Sequence, residues 1–274
     1  MPVLDLEPLY CGPRLPLPTE RDLELYRADP VAHPLHFPTD DELTHSDGEP
    51  METPWHRDNM HLLIDSIHTR WADREDFYAG GNMFIYFGNR PVFNRDFRGP
   101  DFFVVACHVE RRKPRRSWVS WREDSRLPDV IVELVSPSTA HVDRTVKKEL
   151  YATRFRTREY FLYDPDTDVL EGWRLPRHMR GYDAIPVDDT GRIWSEVLGC
   201  SLGTWDGGYA ETTARWLRMY EADGRVAPTK LEAREAILTA AVSSADAARL
   251  AAEAEVARLR AELAALRGTP LTGP

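Results

Sequence analysis

Two carboxylates set in apolar stretches, and a lysine pair downstream, are the side chains of this chain best placed to do chemistry. Asp101 opens the run DFFVVAC, residues 101–107, directly after Pro100. Glu133 interrupts PDVIVELV, a Val, Ile and Leu run that begins at Pro128. Lys147 and Lys148 follow in AHVDRTVKKELY, which ends at Tyr151. A lone carboxylate in a buried run is expensive unless it is paired, hydrogen-bonded or bound to a metal. If the two runs are neighbouring strands, their oxygens can converge on one hard cation. Mg²⁺ suits such a site, because it accepts few protein carboxylates and keeps several waters. It would polarise a phosphoryl oxygen and lower the pKa of a bound water. A lysine adds positive charge where a pentacovalent phosphorane builds negative charge, and can orient or help deprotonate the water.

The elements that must hold these groups are readable in outline. Residues 129–135 form a strand-like run, broken by Ser136-Pro137-Ser138-Thr139, since proline removes a backbone donor and restricts the residue before it. The lysines then lie on a helix. Asp101–Cys107 and Asn82–Phe87 (NMFIYF) read as buried strands, the first after a polar connection over 88–100. From Trp55 to Trp71 the pattern is helical, with Met60, Leu63, Ile64 and Ile67 at i, i+3, i+4 and i+7. Gly80-Gly81 closes that unit. Glu159–Tyr163 is a further strand, closed by Asp164-Pro165-Asp166. Residues 170–175, 182–187 and 193–198 read as an antiparallel meander, with 203–208 as another hairpin or edge element.

Other candidates carry less chemistry. His56, His61 and His68 share the first helix, but their spacing is not that of HExxH, so they read as partly exposed helix residues. His56 is the one able to approach the carboxylates, with capping or packing as its plain role. Ser136 and Ser138 suit helix capping, and Ser136 lacks the G-x-S-x-G setting of a nucleophile. Asp129 makes a second Pro-Asp, yet Asp101 is preferred because Glu133 needs a partner from another strand. Residues 108–126 hold Arg111, Arg112, Lys113, Arg115 and Arg116 beside Trp118 and Trp121. Such a cluster can track a phosphate backbone and stack on bases, or be a solvated loop. No phosphate-cradling glycine loop or dinucleotide fingerprint occurs.

Composition bounds the rest. The 274 residues are 42% hydrophobic, with no run near the ~20 apolar residues of a membrane helix. The first residues lack a basic start and an apolar core, so the expected location is cytoplasmic. Cys11, Cys107 and Cys200 are too few and too scattered for a disulfide framework or zinc site and read as reduced thiols. A net charge of −10 disfavours a surface coated for non-specific nucleic-acid binding, though not a local basic groove. The expected organisation is an irregular arm over 1–50 with a turn at Asp47–Pro50, a main domain over 51–210, a connecting helix or linker over 211–228, and a coiled coil over 229–267. Leu231, Leu238, Val242, Ala245, Ala252, Val256, Leu259, Leu263 and Leu266 set its alternating 3/4 seam, with Glu235 and Arg249 as polar interruptions.

Pro100-Asp101, then Glu133 late in a strand, then a lysine, resembles the PD-(D/E)XK nuclease superfamily. PDVIVELVSPST followed by KKELYATRFRTREYFLYDP resembles, more narrowly, its bacterial restriction-endonuclease-like family, from about Asp47 to Leu198. Members of that family also carry coiled-coil tails. The resemblance implies an α/β fold, a mixed sheet flanked by helices, and hydrolysis of DNA phosphodiester bonds with Mg²⁺ or Mn²⁺. It makes Asp101 and Glu133 metal ligands, with the main-chain carbonyl of Leu134 as a third. The chain departs from the superfamily at Val135, where the lysine usually stands. The family instead places it on the next helix, four residues before a tyrosine, which selects Lys147. Lys148 is the runner-up, since helical neighbours point about 100° apart. One such core makes one cut, so a duplex cutter is expected to be a homodimer or to use a coiled-coil partner. The rival reading is a non-cutting nucleic-acid-binding or scaffold protein that assembles through its coiled coil.

Overall fold

The structure is a computed structural model and describes residues 20–33, 53–87, 97–136, 139–177 and 181–267. The chain divides into two units, Met1–Ala227 and Pro228–Pro274. In the first, helix α1 spans Glu20–Ala28 and α2 spans Pro54–Arg70. The strands are β1 Tyr78–Gly80, β2 Ile85–Tyr86, β3 Phe97–Arg98, β4 Phe102–Val105, β5 Trp118–Val119 and β6 Val130–Leu134. A continuous helical segment over 140–155 is α3. Then come β7 Glu159–Asp164, β8 Val169–Arg174, β9 Asp183–Ala184, β10 Ile193–Ser195, β11 Cys200–Tyr209 and β12 Thr212–Tyr220. The second unit carries one helix, α4, Lys230–Arg267. Among the described residues no helix is long and apolar enough to cross a membrane.

The central sheet runs β1-β4-β6-β7-β8-β9. It is mixed, as expected: β6 and β7 are parallel, while β1/β4, β4/β6 and β7/β8 are antiparallel. A parallel neighbour needs a crossover rather than a hairpin, and α3 supplies it between β6 and β7. Side chains alternate across the sheet. Phe102, Val104, Val130, Val132 and Leu134 pack on one face with Leu63 and Ile67 of α2, and with Leu202, Leu217 and Met219. Phe103, Val105, Ile131 and Val135 pack on the other with Leu150, Tyr151 and Phe155 of α3. Helix α2 starts at Thr53, whose side chain accepts from the His56 N–H, with Pro54 in the first turn. Its stripe is broader than expected: Leu62 and Asn59 are fully buried, and Ile64 only partly. Asn59 both donates to and accepts from the Leu217 main chain, at 3.0 and 2.8 Å, tying α2 to β12.

Several expectations change. Glu20–Ala28 is a helix rather than irregular arm, because ERDLELYRA is built from strong helix formers. The rest of that arm, with the turn at 47–50, lies outside the described residues, as does Cys11. Gly80 does not merely end a helical unit but closes β1, a three-residue strand too short to leave a pattern. Residues 97–98 of the polar connection form β3. The meander stops at β9; β10 leaves it for a separate sheet, β10-β11-β12. Gly203–Gly208 is therefore the middle of that sheet's central strand, and 212–220 is β12 rather than a connecting helix or linker. The C-terminal half of β12, Trp216–Tyr220, is buried, which a linker would not be.

Candidate active site

The pairing of β4 with β6 explains why two distant acids meet. Phe102 faces Val132 and Phe103 faces Ile131 in the antiparallel register. One step beyond, the same register sets Asp101 opposite Glu133. Both have the parity of Phe103 and Ile131, so both belong to the face covered by α3. The Asp101 N–H donates to Glu133 Oε2 at 3.3 Å. Asp101 Oδ2 accepts from the Leu134 N–H at 2.7 Å. Gly81 makes this corner possible. A Cβ there would lie 2.1 Å from the Asp101 carbonyl oxygen and 2.6 Å from Met60 Cγ, so only glycine fits.

Helix α3 delivers the cation. Lys147 Nζ lies 3.2 Å from Glu133 Oε1 and 2.8 Å from Asp143 Oδ1. Tyr151, one turn on, donates its hydroxyl to Glu133 Oε1 at 2.9 Å. Residues 143–147 and 151–155 are wound as π-helix, a rare winding often found where side chains must be re-aimed at a site. Lys148 faces elsewhere: its Nζ sits 3.7 Å above the Trp173 ring. Of the two lysines left open by helical spacing, Lys147 is the one that reaches the carboxylates.

Charge in the cluster is unbalanced. Glu133 and Asp143 are buried, and Asp101 is partly so. Burial, with Asp101 and Asp143 nearby, pushes Glu133 up to about 8 against the pull of Lys147 and Tyr151. Burial likewise raises Asp101, opposed by Lys147 and the Leu134 N–H. For Lys147, burial favours the neutral amine, but Glu133, Asp143 and Asp101 outweigh it and hold the amine protonated. Burial and Glu133 keep Tyr151 protonated and therefore a donor. Three acids thus face one ammonium. His56 exerts a weaker favourable charge on Asp101, while its Nδ1 meets Thr53 Oγ1 at 2.8 Å. The donors are hard oxygens in surplus, which suits a hard divalent cation. Among the described residues no group of three His, Cys, Asp or Glu side chains forms a ready metal cage. A cation here would rest on two carboxylates, main-chain oxygen and water.

The sequence profile of the Uma2 family, described as "Putative restriction endonuclease", matches residues 26–206. The chain belongs to the Uma2 family. The description of that family supports a nuclease. It is also similar to a crystallised "putative nuclease belonging to DUF820" from Anabaena variabilis. The two are 15% identical, over 55% of this chain and 76% of that one, with a TM-score of 0.40. No curated protein matches it.

Asp143 is the member of the cluster that sequence reading missed, although it stands four residues before Lys147, the spacing of a helical ion pair. The lesser candidates are structural. Asp129 accepts from the Ala106 N–H at 2.8 Å, Ser136 bonds Thr139 at the start of α3, and Ser138 lies outside the described residues. His61 is exposed, and His68 Nδ1 lies 3.1 Å from Arg111. Cys107 and Cys200 are free thiols.

The basic stretch of this Uma2 protein is spent largely on its own fold. Arg111 donates to the Trp71, Ala72 and Arg74 carbonyls. Arg112 pairs with Glu75, and both Lys113 and Arg115 pair with Glu123. Arg115 also stacks between Tyr78 and Trp118, at 4.7 and 5.0 Å. Trp118 is fully buried in β5 and cannot stack on a base. Residues 106–117 are therefore a loop tied down by these contacts rather than a freely solvated one, with Arg111, Arg112, Lys113 and Arg115 engaged within the fold. Arg115→Ala should cost about 2 kcal/mol of unfolding free energy in urea, because it takes the guanidinium's charged hydrogen bonds from the nearly buried Glu123 and leaves it only Lys113. Arg112→Ala, at an exposed pair, should stay within about 0.5 kcal/mol.

Proposed function

We propose that the Asp101, Glu133 and Lys147 cluster is the active site of a divalent-metal-dependent endonuclease that hydrolyses phosphodiester bonds in DNA. The observation that carries this reading is the surplus of buried carboxylate over ammonium at one point, fed by β4, by β6 and by the crossover helix that follows β6. Asp101 and Glu133 would hold Mg²⁺ or Mn²⁺. The Leu134 carbonyl is the natural third ligand: in an extended strand it points to the same edge as the Leu134 N–H, which already faces Asp101. When bound, such an ion polarises the phosphoryl oxygen and acidifies a coordinated water.

The protein's own groups do the remainder. Tyr151 fixes the Glu133 carboxylate by a hydrogen bond. Asp143 holds Lys147 across one turn of α3. Lys147, whose protonated form Glu133, Asp143 and Asp101 favour, would stabilise the charge that builds on the phosphorane.

The test is nicking of supercoiled plasmid by the purified full chain. Nicked product with Mg²⁺ or Mn²⁺, and none with chelator, supports the reading. The competing account is a non-cutting scaffold, and the internal pairing of the basic stretch together with the net charge of −10 favours it. It prevails if metal-loaded protein cuts neither DNA nor RNA.

A further inference from the structure

Helix α4 begins at a sharply defined cap. The Thr229 N–H donates to Glu232 Oε2 at 2.6 Å, and the Glu232 N–H donates back to Thr229 Oγ1 at 3.2 Å. This reciprocal box sets the start of a 38-residue helix, about 57 Å long at 1.5 Å per residue. Among the described residues of its own unit, the helix has no second element to bury against. Leu238, Val242, Val256, Leu259 and Leu263 all lie between 45 and 62% exposed. They are not scattered: in heptad terms Val242, Val256 and Leu263 are a positions, and Leu238 and Leu259 are d positions. An exposed stripe of this length on a soluble helix calls for a cover.

The charges indicate what the cover is. Residues 228–274 carry six acidic and six basic side chains, so the whole deficit of −10 lies elsewhere in the chain. The flanks of the seam hold both signs, with Glu255 and Glu262 at g positions and Arg260 and Arg267 at e positions. Two such helices side by side in the same direction set each Glu, which in the single helix pairs with Arg258, opposite an Arg five residues further on. Flanks whose opposite charges answer one another in this way favour pairing of like helices over a partner charged throughout in one sign. The one basic residue on the seam, Arg249, is already neutralised on its own helix by Asp246 and Glu253, at 3.4 and 3.3 Å. We propose that α4 is one strand of a homotypic coiled coil, its partner being α4 of a second copy of this chain. The proposal does not depend on the chemistry at Asp101, Glu133 and Lys147.

Sedimentation equilibrium of the full chain across micromolar concentrations tests it, with helicity followed by circular dichroism. Wild type should be dimeric. Val256→Glu/Leu259→Glu, which puts charge into the seam, should weaken the dimer at least a hundredfold. Ile237→Glu removes an apolar side chain that is 70% exposed but off the seam, and should leave the dimer intact. Arg249→Leu should tighten it at least tenfold, a gain that a misfolded variant cannot mimic. A wild-type monomer throughout overturns the proposal. So does a dimer that survives the double substitution, one that is lost equally with Ile237→Glu, or one that Arg249→Leu does not tighten.

Discussion

Lys147→Met should destabilise the fold by about 3–5 kcal/mol at pH 8, because it leaves buried acids without their cation. The deficit should shrink as the pH is lowered. Burial and the neighbouring acids hold Glu133 near 8, above its ordinary 4.5, so the folded protein keeps a proton that the unfolded chain has released. A group of this kind contributes stability below about 4.5 and loses it as the pH rises towards 8, at about 1.4 kcal/mol per pH unit for each such group. Removing Lys147 takes away the main force opposing that shift, for Asp101 as well as Glu133. The variant's unfolding free energy in urea should therefore fall more steeply with pH than that of wild type. Saturating Mn²⁺ should restore part of it by replacing the missing charge. A loss that is the same at pH 5 and pH 8 would show that these acids are not what Lys147 supports.

Glu133→Gln should act in the opposite sense on stability while removing activity. Lys147 keeps Asp143 at 2.8 Å, so no cation is stranded, and one of three crowded acids becomes neutral. At pH 8 the variant should be as stable as wild type or more so, by about 1–2 kcal/mol. Metal-dependent nicking should drop at least about a thousandfold, the equivalent of some 4 kcal/mol of transition-state stabilisation. Thermal melts and plasmid nicking on one preparation measure both. A variant that loses activity because it has unfolded would contradict this pairing of effects.

The acids are legible in the sequence because Glu133 interrupts an apolar strand and Asp101 opens one, and a buried acid needs a reason. The mixed sheet was legible for the same cause: β6 and β7 are continuous β-branched and aromatic runs with a helical stretch between them. What was hidden depends on tertiary pairing. Lys147 and Lys148 are adjacent and alike, and only the winding of α3 sends one to Glu133 and the other onto Trp173. Asp143 looks like any helix-surface acid until its burial is seen. The arginines at 111–115 looked like solvent-facing charge because Glu75 lies more than thirty residues away and Glu123 beyond two tryptophans. Strands of two or three residues, such as β1, β3 and β5, owe their existence to the neighbours they pair with rather than to their own pattern.

Plasmid nicking rates for wild type, Lys147→Met and Lys148→Met in the same metal buffer decide which amine works beside Asp101 and Glu133. The prediction is a loss of at least about a hundredfold for Lys147→Met, for want of its charge on the phosphorane, with Lys148→Met retaining wild-type cutting. Equal rates for wild type and Lys147→Met, or a loss confined to Lys148→Met, would contradict it.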